Sequence, residues 1–231
     1  MKSYAAPGVT TNELDRIAED FILSRNGVPA FKGYVVDGRS FPASICASID
    51  EEVVHGIPCD RKLVEGEILS VDIGVVKNGF YGDGASTVAI GKISEEKEKL
   101  MRVTEESLME GIMTAADGAM TYDVGKAVQT HVEKHGFSVV RDLCGHGVGK
   151  QLHMEPSIPN FVPTLREKQF YKNSVLREGM TIAIEPMVNA GTWKVYQKKD
   201  GWTIVTADHS PSAHFEHTVL VTKTGAVVLT K

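Results

Sequence analysis

At 231 residues, with 42% apolar and 24% charged side chains and a net charge of −5, the chain has the composition of a soluble globular protein large enough for a sizeable core. The acidic balance argues against a nucleic-acid surface, no apolar run approaches a membrane span, and MKSYAAPG lacks the apolar stretch of a signal peptide. Three cysteines (Cys46, Cys59, Cys144) form no C-x-x-C pair, which argues against a disulfide framework or zinc ribbon, so a cytoplasmic protein with reduced thiols is expected.

Thr10-Thr11-Asn12-Glu13 has the pattern of a capping box and opens a helix whose apolar face is Leu14, Ile17, Ala18, Phe21 and Ile22, with Gly27 expected to close it. Glu65-Gly66 then turns into an alternating strand, EGEILSVD, that ends on Asp72. From Asp72 to Asp83 the chain reads as a β-hairpin with Asn78-Gly79 as its type I′ turn. In that register Lys77 faces Phe80, Asp72 faces Ala85 and Asp83 faces Gly74, making the two aspartates diagonal neighbours on one face. A second helix is expected from Ser94-Glu95-Glu96, carrying Leu100, Met101, Leu108 and Ile112. A third begins near Thr121, carries Val124, Val128 and Val132, and stops at Gly136. The strand EGMTIAIE repeats the earlier Glu-Gly strand and ends on Glu185.

Laid on the first helix, the third matches Gly8 with Gly118, Thr11 with Thr121, Leu14 with Val124 and Ala18 with Val128. The offset is close to that between the two Glu-Gly strands, so helix and strand repeat in the same order. An α+β domain spanning 1–231 is expected, built by duplication from halves of about 7–115 and 116–231.

A strand that buries one face rarely ends on a carboxylate, and buried acids require a counter-charge, for which a metal ion is the natural candidate. Alone, Asp72 and Asp83 would read as solvated acids flanking a hairpin. The second half alters that balance by adding Glu185 and, in His214-Phe215-Glu216-His217-Thr218, Glu216, which is expected to stand to Glu185 as Asp83 stands to Asp72. Four inward carboxylates suit two divalent cations, with His146 of Cys-Gly-His-Gly-Val-Gly as a nitrogen ligand. Such an oxygen-rich set favours Mn, Fe or Co and is compatible with Zn. Competing motifs are incomplete. Gly145–Lys150 lacks the first glycine and the Ser or Thr of a phosphate-binding loop, His153-Met154-Glu155 lacks the Pro-Cys-x-x-Cys of zinc deaminases, and there is no H-E-x-x-H.

Val53-Val54-His55-Gly56-Ile57-Pro58, the D-x10-D hairpin, Gly145-His146-Gly147, Leu152-His153-Met154-Glu155-Pro156, Ile184-Glu185-Pro186 and Ser212–Thr218 together resemble a type I methionine aminopeptidase. The resemblance runs from about Pro7 to the C-terminus and implies the pita-bread fold, two pseudo-symmetric halves with antiparallel sheet covered by helices around a dinuclear metal site. It implies Asp72 as a chelating ligand of one metal, Asp83 and Glu216 as bridges, and His146 and Glu185 as ligands of the second. Glu185 would also shuttle the proton, His55 would contact the scissile amide, and His153 would polarise the carbonyl. Cys46, Phe41 and Trp202 would wall the methionine pocket. The implied activity is removal of the initiator methionine from nascent polypeptides with a small second residue, through a water or hydroxide bridging two divalent ions (Co, Mn, Fe or Zn). The resemblance further implies a monomer, the ribosome as a candidate contact, and neither a membrane nor a specific nucleic acid as partner.

The chain departs from the family pattern in having only MKSYAA before Pro-Gly-Val-Thr-Thr, where a long helix is usual, and in a longer Tyr34–Phe41 segment. The Asn160–Ser174 loop, with Arg166, Lys168 and Lys172, is also somewhat long. Two alternatives stand beside the main reading: an X-Pro peptidase of the same fold, or a metal-free binding module. His131, His135 and His209 are expected to be ordinary structural residues, with His214 and His217 at most in contact with metal ligands.

Overall fold

Three helices lie over short antiparallel sheets in a computed structural model that describes residues 2–231. Helix α1 spans Thr11–Ser24, α2 Glu95–Thr114 and α3 Thr121–Lys134. The capping box forms: Thr10 Oγ1 accepts from the Glu13 amide at 3.1 Å, and the Glu13 carboxylate accepts from the Thr10 amide at 2.7 Å. Leu14, Ala18 and Ile22 are buried as expected, but Phe21 is 61% exposed because it overhangs an open groove beside Ile73 and Val75 instead of entering the core. The residue that closes α1 also differs. Asn26, not Gly27, takes the left-handed conformation (φ 57°), a role its short polar side chain tolerates, and Gly27 follows by donating to the Ile22 carbonyl.

Helix α1 packs Leu14 and Ala18 on Ile45 and on Ala47, Leu69 and Val71 of a three-stranded antiparallel sheet formed by Cys46–Ile49, Ile68–Asp72 and Ala85–Ala89. Helices α2 and α3 cover a five-stranded sheet whose centre is Thr181–Ile184, flanked by Gly145–Gly147 and His217–Thr222. Leu108 and Ile112 of α2 and Val124 and Val128 of α3 share one core with Ile182, Ile184 and Val219 of that sheet.

The two halves repeat local hydrogen bonds as well as elements. Gly8 donates to Leu63 at 2.8 Å and Gly118 to Leu176 at 2.9 Å; Gly66 donates to Ile90 at 2.9 Å and Gly179 to Val221 at 3.0 Å. The three- and five-stranded sheets meet where Ala85 and Glu216 exchange backbone bonds, the Glu216 amide donating to Ala85 at 2.9 Å and the Ala85 amide to Glu216 at 3.3 Å. Among the described residues no helix is long and apolar enough to cross a membrane.

Candidate active site and metal centre

The hairpin adopts the expected register. Lys77 pairs with Phe80, Val75 with Gly82 and Asp72 with Ala85, around a turn with φ of 54° at Asn78 and 79° at Gly79. This brings Asp72 and Asp83 to one face at the seam between the halves. Glu185 lies just beyond the strand Thr181–Ile184, and Glu216 just before His217–Thr222.

The analogy between the two acid pairs is corrected by the ladder. Ile184 pairs with His217, so the register carries Glu185 opposite Glu216, as Asp72 lies opposite Ala85. Side-chain bonds across the seam agree. Thr218 Oγ1 donates to the Asp83 carbonyl and accepts from its amide (2.8 and 3.0 Å), while Thr87 Oγ1 does the same for His214 (2.8 and 2.9 Å). His214 therefore occupies the place of Asp83, and Glu216 that of Ala85. All four carboxylates still face one cleft, because the seam interleaves the two strands.

His146 reaches that cleft from a strand with no room for side chains on its neighbours. A Cβ on Gly145 would lie 2.3 Å from the Ala183 carbonyl oxygen, and one on Gly147 2.4 Å from that of Glu155. Gly147→Ala should therefore destabilise the protein by about 1–3 kcal/mol through overpacking against backbone. At about 2–4 °C per kcal/mol, calorimetry should show the melting temperature several degrees lower. The His146 Nδ1–H donates to the Gly147 carbonyl at 3.0 Å, which fixes the tautomer. The bare Nε2 lies 3.4 Å from Glu185 Oε1 and 4.0 Å from Asp83 Oδ2.

Asp83, His146 and Glu216 present ligand atoms within 4.8 Å of one another. Burial raises the pKa of every acid here, and mutual repulsion adds to it at Asp72, Glu185 and Glu216. Asp83 is pushed up to about 6, and Asp72, Glu185 and Glu216 are also raised well above the usual carboxylate range. Burial lowers His146 to about 4, helped by His153, so its imidazole is neutral and available as a ligand. Asp72 Oδ1 and Glu216 Oε1 are buried without a hydrogen-bond partner among the described residues, and no lysine or arginine there pairs with any of the four acids. Buried oxygens with neither partner nor counter-charge, beside a neutral imidazole, are the donor set that a hard or borderline divalent cation satisfies. The residues fit such a group.

The four acids and His146 line a cavity of about 120 Å³ whose other walls include Phe41, Cys46, His55, Leu152, His153 and Trp202. Phe41 and Trp202 meet edge to face with ring centres 5.2 Å apart, and Cys46 pairs across the ladder with Asp72. His55 holds φ at 59°, a left-handed conformation rarely taken by a non-glycine residue, and burial lowers its pKa to about 4. His153 stands with its ring centre 4.4 Å from that of His146.

Tyr34 carries a contact that the sequence did not reveal. Its hydroxyl is 2.8 Å from His153 Nδ1. The long Tyr34–Phe41 segment is itself a hairpin, pairing Val35 with Ser40 and Val36 with Arg39 around Asp37-Gly38. The sequence signal was present: two valines, then Asp-Gly, is a type I′ turn pattern. Leu152 is a further pocket wall not singled out beforehand.

A family model described as metallopeptidase family M24 matches residues 1–223. The chain belongs to that family. It is 47% identical to methionine aminopeptidase 1 of Bacillus subtilis over all of this chain and 89% of the relative. A methionine aminopeptidase structure from Thermotoga maritima superposes with TM-score 0.92 at 44% identity, covering 100% of this chain and 89% of that one. Within the M24 metallopeptidases the chain thus falls among the methionine aminopeptidases and has their pita-bread fold. A prolidase from Pyrococcus furiosus shares that fold at TM-score 0.73 and 22% identity, with this chain covering 57% of its length.

Proposed function

We propose that this enzyme releases the N-terminal methionine of nascent polypeptides with a small second residue, using two divalent ions drawn from Mn, Co, Fe and Zn. The observation that carries the reading is that four buried carboxylates and one neutral imidazole line the same small cavity as Phe41, Leu152 and Trp202. Asp72, Asp83, His146, Glu185 and Glu216 would hold the ions. When bound, such ions bring the pKa of water near neutrality and act as Lewis acids on a carbonyl.

The chain's own residues then have separable tasks. At the apolar end of the cleft, Phe31, Phe41, Cys46, Leu152 and Trp202 would receive an apolar side chain. The Phe41–Trp202 edge and Cys46 exclude water and favour the methionine thioether, which packs well against aromatic rings. Glu185, whose carboxyl lines the cleft, would take up a proton and return it to the leaving amine. With Tyr34 donating to Nδ1 of His153, the imidazole directs Nε2–H into the cleft, where it would stabilise charge on the carbonyl oxygen. His55, neutral and fixed by its backbone, would contact the scissile amide.

Tyr34→Phe should lower kcat about 10- to 100-fold, the range for losing a hydrogen bond that orients a working histidine, while metal content stays unchanged. Steady-state kinetics beside metal analysis would check this. The proposal includes halves of about 7–115 and 116–231, a monomeric cytoplasmic protein, and the ribosome as the place where substrate is met. The deciding experiment follows free methionine released from Met-Ala-Ser by metal-stripped protein titrated with Mn²⁺ or Co²⁺, with an X-Pro peptide beside it. Metal-dependent release from the first alone supports the reading. A folded, metal-loaded protein that releases no methionine overturns it.

A further inference from the structure

Away from the catalytic cleft, helices α2 and α3 bring Glu106 together with His131 and His135, two histidines expected to be ordinary structural residues. His131 lies in the last turn of α3 and His135 is its C-cap residue, one helical turn on. Their rings are 4.6 Å apart at 42°. Glu106 of α2 faces them, with Oε2 3.0 Å from His131 Nε2. One ligand atom from each of the three lies within 4.8 Å of the others.

Several features prepare this cluster for a cation. His135 Nδ1–H donates to the His131 carbonyl at 2.8 Å, leaving Nε2 as a bare lone pair. Burial works to raise the Glu106 pKa, but hydrogen bonds from His131 and Arg102 outweigh it and hold the carboxylate ionised. The cluster sits at the C-terminal end of α3, where the helix dipole favours positive charge. Two cations are close, and neither takes the donor atoms. Arg102 Nη1 contacts the other Glu106 oxygen, Oε1, at 3.3 Å, and Lys99 Nζ donates to the His135 carbonyl at 2.8 Å. Two imidazoles and a carboxylate are the donors of zinc-, nickel- and copper-class sites. Bonds of about 2.1 Å to a tetrahedral ion require ligand atoms about 3.4 Å apart, so side-chain rotations of about 1 Å complete the site. The side chains of His131 and Glu106 are 19% and 41% exposed, which leaves them room to move.

We propose that Glu106, His131 and His135 form a second transition-metal site that clamps α2 to α3, independent of the catalytic centre. On binding, the ion takes the place of the proton between His131 Nε2 and Glu106 Oε2, and the imidazole takes a proton on Nδ1 from solvent in exchange, so it stays neutral with no net proton released. The clamp would join two helices already in close contact: at Gly111 of α2, a Cβ would lie 3.0 Å from Val128 of α3.

The test is isothermal titration of the metal-free protein with Ni²⁺, comparing the natural chain with His135→Ala and Glu106→Gln. The expected result is one fewer bound equivalent, or at least tenfold weaker binding of that equivalent, in both variants. Mn²⁺-supported methionine release should be unchanged, and the Ni²⁺-induced rise in melting temperature should shrink. Because these side chains are partly exposed, both variants should fold, which circular dichroism of the metal-free proteins reads directly. Equal stoichiometry and affinity in all three proteins would overturn the site. So would a loss of the equivalent in only one variant.

Discussion

Glu216→Gln should abolish metal-dependent methionine release, by about 1,000-fold or more, and at the same time raise the melting temperature of the metal-free protein. The activity loss corresponds to about 4 kcal/mol of transition-state stabilisation, appropriate to removing a charged oxygen ligand from the centre of the site. The stability gain follows from the same burial. Glu216 is 3% exposed, and Oε1 has no hydrogen-bond partner among the described residues. Its carboxyl is held well above the usual range by desolvation first, then by repulsion from Asp83, Glu185 and Asp72. Glutamine keeps the volume, cannot ionise against its neighbours and offers an N–H donor to acids that lack one, a gain of about 1–3 kcal/mol where a buried acceptor is satisfied. At about 2–4 °C per kcal/mol, the metal-free protein should melt several degrees higher. Added metal should reverse the order, because only the natural chain gains full binding energy. A residue that merely filled space would lose stability on substitution and keep its activity. Paired melting curves with and without Mn²⁺ therefore separate a metal ligand from a packing residue.

Metal affinity should fall steeply below pH 6, by at least tenfold per unit. Asp83 is raised to about 6 in the metal-free protein, and Asp72, Glu185 and Glu216 are raised as well. A cation binds the ionised form, so below the folded pKa each bound ion must expel at least one proton. The sign follows directly: as pH drops through 6, Asp83 gains a proton, competition strengthens and affinity weakens. His146 does not produce this effect, because it is lowered to about 4 and remains a neutral ligand throughout the window. Isothermal titration at pH 5.5 and 7.5, in buffers of different ionisation enthalpy, counts the released protons. Proton release near zero at pH 5.5 would show that the acids are already ionised without metal and would contradict the raised values.

Much of the site was legible because it rests on local chemistry. A capping box, an Asn-Gly turn with alternating flanks and two Glu-Gly strands each specify a few neighbouring residues. The register they dictate put Asp72 opposite Ala85 without reference to the rest of the chain. The failures were also physical. Phe21 fits the helical period of α1, yet a period cannot tell where the sheet beneath a helix ends. The pairing of Glu216 with Glu185 was misread because the two strands are joined through a long excursion, and only the ladder fixes which residue lies opposite which.

The sequence by itself specified the three helices and the hairpin, and its motifs picked out Asp72, Asp83, His146, Glu185 and Glu216, which line one cavity, since each follows from periodicity, turn chemistry or a motif written in adjacent residues. Tertiary structure alone decided that Tyr34 meets His153 across 119 residues, that His214 takes the place of Asp83, and that Glu106 joins His131 and His135. Those contacts depend on how separately folded segments pack, and packing distances between segments are not encoded in any one stretch of chain.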